Sequence, residues 1–126
     1  MDVYLAPVRG EGFGMPILDA VLAGKNIIAT NYSAQTDFLN KDIHSLLRYQ
    51  LTTVCDMNWV PWYLSDQYWA EPDLSQLSEK MRWYYMQWKD GGLPFKEERE
   101  SFTKLVKRLY SKEYVIENLL TQLEEI

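Results

Sequence analysis

The sequence contains very little cysteine and histidine. Cys55 is the only cysteine and His44 the only histidine among its 126 residues. A single cysteine cannot close an internal disulfide, and these two residues offer no metal-ligand spacing. We therefore expect no disulfide and no metal site, and the sparing use of cysteine indicates a reducing, cytoplasmic compartment.

The sequence also lacks a long apolar run and an excess of basic residues. No stretch of about 18 apolar residues occurs, so no transmembrane helix is predicted, and the N-terminus lacks the basic-then-apolar layout of a secretory signal. The net charge is −5 without a block of like charges, so we expect no nucleic-acid partner. The remaining composition, 47% hydrophobic and 25% charged, fits a single globular domain.

The first half of the chain, residues 1–56, alternates strand and helix patterns. Residues 2–8 are a short apolar run typical of a buried parallel strand, residues 26–30 are predicted to be a second buried strand, and residues 46–54 alternate as a third strand. Between the first two lies a short helix over 16–23, with Pro16 at its first position and Gly24 just past its end. This order predicts an α/β fold with about three parallel strands, a Rossmann-like half.

The second half, residues 57–126, is predicted to be an aromatic loop followed by three helices. Asp73 and Gln76 have the spacing of a helix start, Gly91 and Gly92 close that helix, and further helices are predicted over 95–110 and from Ser111. Helical periodicity predicts that each helix buries one apolar face. The predicted buried residues are Leu74, Leu77, Met81, Tyr85 and Trp88; then Phe102, Leu105, Val106 and Leu109; then Val115, Leu119, Leu123 and Ile126.

The aromatic segment 59–69 has two interpretations. Aromatic side chains at this density usually fill a core, which favours a hydrophobic plug under the C-terminal helices. The alternative is a surface that contacts a membrane or a glycan.

The segment from Glu11 to Asp19 has the features of a ligand site. It follows a parallel strand and leads into a helix, and open α/β sheets bind ligands at that edge. Gly12 and Gly14 allow main-chain amides to approach a ligand closely, and the helix start favours an anion such as a diphosphate. Carboxylates beside such amides suit sugar hydroxyls. A plain strand-to-helix turn with a capping acid remains the alternative.

The same segment resembles the C-terminal domain of the "group 1" retaining glycosyltransferases of the GT-B fold. The family signature places two acids with seven residues between them, the first followed by Gly-Phe-Gly, and Glu11 and Asp19 have this spacing. Residues 30–38 and 69–73 are similar to one bacterial branch of the family. The resemblance covers residues 2 to about 73.

The resemblance implies a role for each matched position. Glu11 would be the catalytic residue beside the donor sugar, and Asp19, where the family usually has Glu, would bind the ribose of the nucleotide. The loop Gly12, Phe13, Gly14 and Met15 would bind the sugar or the diphosphate. The pocket would be lined by Arg9, Thr30, Asn31, Tyr32 and Ser33.

The implied reaction is transfer of a hexose, with retention, from a nucleotide diphosphate sugar to a glycan or a lipid-linked acceptor. The nucleotide sugar is a substrate, and no cofactor is implied. The family takes positive charge for the diphosphate from basic residues upstream of the strand at residue 2, and an N-terminal domain binds its acceptor. Neither is in this sequence, so we expect a partial domain that is inactive alone. The alternative is a non-catalytic binding or assembly module with the same fold.

The expected partial sheet has a consequence for association. The first strand should lack its neighbour, and an apolar, unpaired edge invites pairing with another chain. The polypeptide is therefore either a fragment of a longer enzyme, which we favour, or a subunit that forms a homo-oligomer through this edge; a fragment would expose the same edge to an oligomer or a compensating partner. The resemblance also admits a location peripheral to the inner face of a membrane.

Overall fold

A computed structural model describes residues 2–57 and 59–124, and these form an α/β fold. The central sheet has three strands in the order β1-β2-β3. Both neighbouring pairs are parallel. The strands are β1 Val3–Ala6, β2 Asn26–Thr30 and β3 Ser45–Leu47. The predicted fold class and the three parallel strands are confirmed, and the arrangement is compatible with a Rossmann-like fold.

Helices cover the sheet on both faces. The helix α1 Met15–Leu22 and the helix α3 Lys96–Leu109 share one core cluster with β1 and β2. On the other face, Tyr84 of α2 Leu74–Lys89 packs with Ile28 and Leu47. The last helix is α4 Lys112–Glu124, and a short 3-10 helix spans Ala34–Asp37. All five residues of β2 are buried, because this strand lies in the middle of the sheet.

The prediction of a third strand over 46–54 was wrong in its extent. The chain leaves the central sheet after Leu47 and forms β4 Tyr49–Thr53, which pairs antiparallel with β5 Tyr68–Pro72. The strand β5 was not predicted, because Glu71 and Pro72 are poor strand formers and only pairing with β4 stabilises them. We call these two strands the ribbon.

The predicted helix ends agree with the structure. The side chain of Asp73 accepts a hydrogen bond from the amide of Gln76 at 3.0 Å. Gly24 adopts a left-handed conformation, with φ of 68°, just after α1. A hydrogen bond from the Ser75 hydroxyl, that cap bond and the Arg48 guanidinium together lower the pKa of Asp73 to about 2.

The predicted buried faces of the helices were mostly wrong. Of the predicted core residues, Val106 is buried, and Phe102 and Leu77 pack partly buried against the two clusters. The remaining predicted core residues within the described ranges are exposed: Leu74, Met81, Tyr85, Trp88, Leu105, Leu109, Val115, Leu119 and Leu123. Ile126 lies outside the described residues. The described sheet and helices leave these apolar side chains uncovered, and on α2 the buried residue is Tyr84 instead.

The aromatic segment 59–69 is not a hydrophobic plug. Trp59 and Trp62 are 78% and 71% exposed, so the loop lies on the surface rather than under the helices. Trp69 at its end is partly buried, because Tyr63 and Arg9 contact its ring. Among the helices of the described residues, none is long and apolar enough to cross a membrane.

Candidate functional site

The loop of residues 9–14 leaves the sheet at the carboxyl end of β1 and enters α1 through Gly14. Gly14 has φ of 83°, and its carbonyl accepts hydrogen bonds from the amides of Ile17 and Leu18. Within residues 2–57 and 59–124, the amides of Phe13, Gly14 and Met15 donate to no protein acceptor. These three amide donors at the start of α1 are therefore unpaired within the described ranges, and Gly14 itself is buried.

A second loop, residues 31–33, leaves the sheet at the carboxyl end of β2 and is joined to the first. The hydroxyl of Ser33 accepts a hydrogen bond from the amide of Glu11 at 3.2 Å and donates one to its carbonyl. Glu11 is consequently fixed through its main chain, and its half-buried carboxylate has no hydrogen-bond partner in the described part of the chain. The main chain of Glu11 is thus held in place, while its carboxylate remains unpaired within the described residues.

Beneath these loops lies a buried polar layer. Thr30 and Gln35 are fully buried, and the amide group of Gln35 donates to the carbonyl of Thr30 at 3.0 Å. Gln35 also lies under Gly14, where a Cβ atom would be 3.8 Å from the Cβ of Gln35. Sequence reasoning placed Thr30 in the pocket but missed Gln35, because a glutamine in a polar loop carries no pattern of its own.

The other residues of the second loop contact β3 and β4. The amide of the exposed Asn31 donates to the carbonyl of Leu47 at 3.0 Å. The ring of Tyr32 lies 5.1 Å from the ring of Tyr49. Tyr49 is the first residue of the ribbon, so the carboxyl edge of the sheet continues into it.

The side chain of Phe13 has a structural role in the fold. Its ring lies 5.8 Å from Phe38 and 5.9 Å from Tyr110, which follows α3. These contacts attach the loop to the end of α3. The main chain of Phe13 therefore remains the part that can meet a ligand.

The two acids of the motif lie on different elements. Asp19 is exposed on the second turn of α1, on the same helix face as the exposed Met15 four residues before it. Glu11 lies in the loop that precedes this helix. Asp19 therefore lies one helical turn beyond Met15 on the exposed face of α1.

Arg9 is bound to the ribbon. Its Nε atom lies 2.6 Å from Oε2 of Glu71 and its Nη2 atom 3.2 Å from Oε1. The guanidinium carbon lies 4.2 Å from the centre of the Trp69 ring, and the hydrogen bond to Glu71 raises the pKa of Arg9. The main chain adds a hydrogen bond from the amide of Ala70 to the carbonyl of Arg9 at 3.0 Å. Glu71 and Trp69 were not predicted as neighbours of the loop.

Arg48, which follows β3 at the carboxyl edge of the sheet, also forms an ion pair. Nη2 of Arg48 lies 2.9 Å from Oδ2 of Asp73. In the described ranges, no three metal-ligating side chains come together.

No protein-family model, no curated protein and no solved structure matches the chain.

Proposed function

We propose that the chain is the donor-binding part of a retaining glycosyltransferase, one that transfers a hexose from a nucleotide diphosphate sugar to a glycan or lipid-linked acceptor. The observation that carries the proposal is the cross-link between Glu11 and Ser33. It fixes the motif loop at the carboxyl edge of a parallel sheet, beside three free amides at the start of α1. This edge is where open α/β sheets bind nucleotides.

The family resemblance suggests the roles, and the positions support them. The free amides of Phe13, Gly14 and Met15 bind the diphosphate or the sugar, since these donors lie at the positive end of the α1 dipole. The Glu11 carboxylate accepts hydrogen bonds from sugar hydroxyls near the anomeric carbon, where positive charge develops in the transition state. Asp19, farther along the exposed face of α1, accepts from the ribose hydroxyls.

A non-catalytic binding or assembly module is the second candidate. The observation that favours it is the pairing of Arg9 with Glu71 and of Arg48 with Asp73. A leaving diphosphate requires positive charge, and both cations at this edge are already neutralised by a carboxylate. Under this candidate the fold binds a partner or a ligand without turnover.

Calorimetry with UDP-, GDP- and ADP-hexoses tests the proposal. We expect one of them to bind with a dissociation constant on the order of 1 mM or tighter. Glu11→Ala and Asp19→Ala should each weaken that binding about tenfold, the loss of roughly one charge-assisted hydrogen bond. Asp42→Ala is the matched control. Asp42 is an exposed acid that precedes β3, so it lies at the amino ends of the strands, away from the motif loop at their carboxyl ends. Absence of binding, or binding that both motif variants leave unchanged, would contradict the proposal and favour the second candidate.

A further inference from the structure

A glutamine side chain is buried beneath the loop that carries Glu11. Gln35 is fully buried, and its side-chain amide donates to the carbonyl of Thr30 at 3.0 Å. Its side-chain oxygen has no hydrogen-bond partner in the described part of the chain. Burying a polar group without full pairing costs stability, and a methionine of similar length would fill the same space without that cost. Packing alone therefore does not account for Gln35.

The main chain of Gln35 is held independently of its side chain. Gln35 lies in the 3-10 helix Ala34–Asp37, and its carbonyl accepts hydrogen bonds from the amides of Phe38 at 3.4 Å and Leu39 at 3.0 Å. Phe38 and Leu39 belong to the core cluster that α1 shares with the sheet. From this position the side chain reaches back to the last residue of β2, so its hydrogen bond closes residues 31–34 into a loop held at both ends.

This closed loop determines where Glu11 lies. The hydroxyl of Ser33 bonds both the amide and the carbonyl of Glu11, and no other hydrogen bond holds the main chain of Glu11 within the described ranges. Ser33 has φ of 74°, a conformation that persists only where the surroundings enforce it. Thr36 restrains the carbonyl of Ser33 from one side. The bond from Gln35 to Thr30 restrains the loop from the other.

Gln35 also lies beside the start of α1. A Cβ atom on Gly14 would be 3.8 Å from the Cβ of Gln35. Gln35 therefore packs under one segment of the candidate site and, through Ser33, holds the other segment that contains Glu11. Because its side chain is fully buried, it acts on a ligand only through these neighbours.

We propose that Gln35 is a positioning residue for Glu11. Its side-chain amide holds the loop of residues 31–33 in the conformation in which the Ser33 hydroxyl fixes Glu11. The consequence for binding rests on the proposed function, in which Glu11 contacts the hexose of the donor. Loss of the hydrogen bond from Gln35 should then weaken the contribution of the hexose more than that of the nucleoside diphosphate.

The variant Gln35→Met tests the proposal, because it removes the hydrogen bond and retains the length of the side chain beneath Gly14. Thr103→Val is the matched control. The buried hydroxyl of Thr103 also donates to a main-chain carbonyl, that of Val21 at 3.1 Å, but this bond lies at the far end of α1 from the motif loop. Both variants therefore lose one buried bond from a side chain to the main chain.

Hydrogen exchange measures the position of Glu11 without a ligand. In Gln35→Met the amide of Glu11 should exchange at least about tenfold faster relative to the amide of Ile28, which reports on opening of the whole sheet. Ile28 is fully buried in the central strand. Thr103→Val should leave this ratio within about twofold of the unaltered chain.

Calorimetry measures the consequence for binding. The dissociation constants of UDP-, GDP- and ADP-glucose are compared with those of UDP, GDP and ADP. Gln35→Met should reduce the gain in affinity from the glucose at least about threefold, while the affinity for the nucleoside diphosphate stays within about twofold. A purely structural role would weaken both kinds of ligand equally.

Two results would overturn the proposal: an unchanged exchange ratio of Glu11 to Ile28 in Gln35→Met, or equal losses for ligands with and without glucose. If none of these ligands binds the unaltered chain, the proposed function fails, and the exchange ratio alone decides whether Gln35 positions Glu11. Gln35→Leu, a second apolar replacement, is measured in the same way if Gln35→Met folds poorly.

Discussion

The hydroxyl of Ser33 bonds both main-chain polar groups of Glu11. It accepts from the Glu11 amide at 3.2 Å and donates to the Glu11 carbonyl, so one side chain joins the loops that follow β1 and β2. Ser33 itself has φ of 74° and ψ of −166°, a conformation that favours glycine. The chain thus keeps a serine in a strained position whose hydroxyl fixes the motif.

The first prediction distinguishes two effects of Ser33 on stability, the hydrogen bonds of its hydroxyl and the strain of its backbone. Ser33→Ala should lower the free energy of unfolding by about 1 kcal/mol, because the hydrogen bonds are lost. Ser33→Gly loses the same bonds but relieves strain of about 1–3 kcal/mol, so it should be more stable than Ser33→Ala. Urea denaturation measures both. Ser78→Ala, which removes a hydroxyl bonded within the exposed face of α2, is the control and should be nearly neutral. Equal stability of the two Ser33 variants would show that the backbone strain is unimportant.

A second prediction concerns the glycine at the start of α1. A Cβ atom on Gly14 would meet Ile17, Phe38 and Gln35 at ordinary contact distances of 3.5 to 3.8 Å, so space is available. The left-handed φ of 83° is the obstacle, and Gly14→Ala should cost roughly 1–2 kcal/mol. Gly12→Ala is the matched control, since nothing lies within 4 Å of its added Cβ. Thermal unfolding of both variants checks this, and a larger loss for Gly12→Ala would contradict it.

A third prediction concerns the attachment of the ribbon to Arg9. Arg9→Lys should destabilise the fold slightly, because an ammonium group cannot bond Glu71 with two nitrogens and stack on Trp69 at once. Double-mutant cycles of Arg9 with Glu71 and of Arg9 with Trp69 should each give a coupling of about 0.5–1 kcal/mol, since the groups are partly exposed. The Glu71 coupling should fall with added salt. A salt-independent coupling to Glu71 would argue against the ion pair.

The fourth prediction is a pH dependence from His44. His44 is buried against Phe102, and its ring nitrogens have no hydrogen-bond partner in the described structure. Burial, and then the positive charge of Arg99, lower the pKa of His44 to about 4 from its ordinary 6.5. Between pH 6.5 and pH 4, His44 is therefore protonated in the unfolded chain but neutral in the folded chain. The free energy of unfolding consequently falls as the pH drops from 6.5 towards 4. The total loss is at most roughly 3 kcal/mol.

The variant His44→Leu isolates this effect. It keeps an apolar contact with Phe102 but removes the titrating group, so unfolding measured between pH 7 and pH 4 should show a shallower slope than the unaltered chain. Carboxylates titrate in both proteins and cancel in the difference. Identical slopes would mean that His44 is accessible to protons in the folded state.

The alternating half of the fold could be predicted because its signals are local. Residues 26–30 contain the apolar run Ile27-Ile28-Ala29 and are completely buried in the central strand, and Pro16 and Gly24 mark α1 within one residue. The Asp73 cap was equally visible, since its partner Gln76 lies three residues away. Each of these features depends on residues close together in the sequence.

The errors arose where distant residues decide the outcome. The ribbon depends on pairing between residues 49–53 and 68–72, and neither segment shows this alone. Arg9 and Glu71, which form an ion pair, lie 62 residues apart in the sequence. The sequence around the motif therefore could not predict that Glu71 lies beside it. Tyr84 rather than Tyr85 is buried on α2, because α2 turns Tyr84 towards Ile28 and Leu47 of the distant strands β2 and β3.

The attachment of the ribbon through Arg9 also makes it mechanically coupled to the motif. Arg9 holds β5 by its carbonyl and its side chain, and it lies two residues before Glu11. The Trp69 ring beneath the guanidinium belongs to the same attachment. A displacement of the loop that carries Glu11 and a displacement of β5 are thus linked through one residue, Arg9.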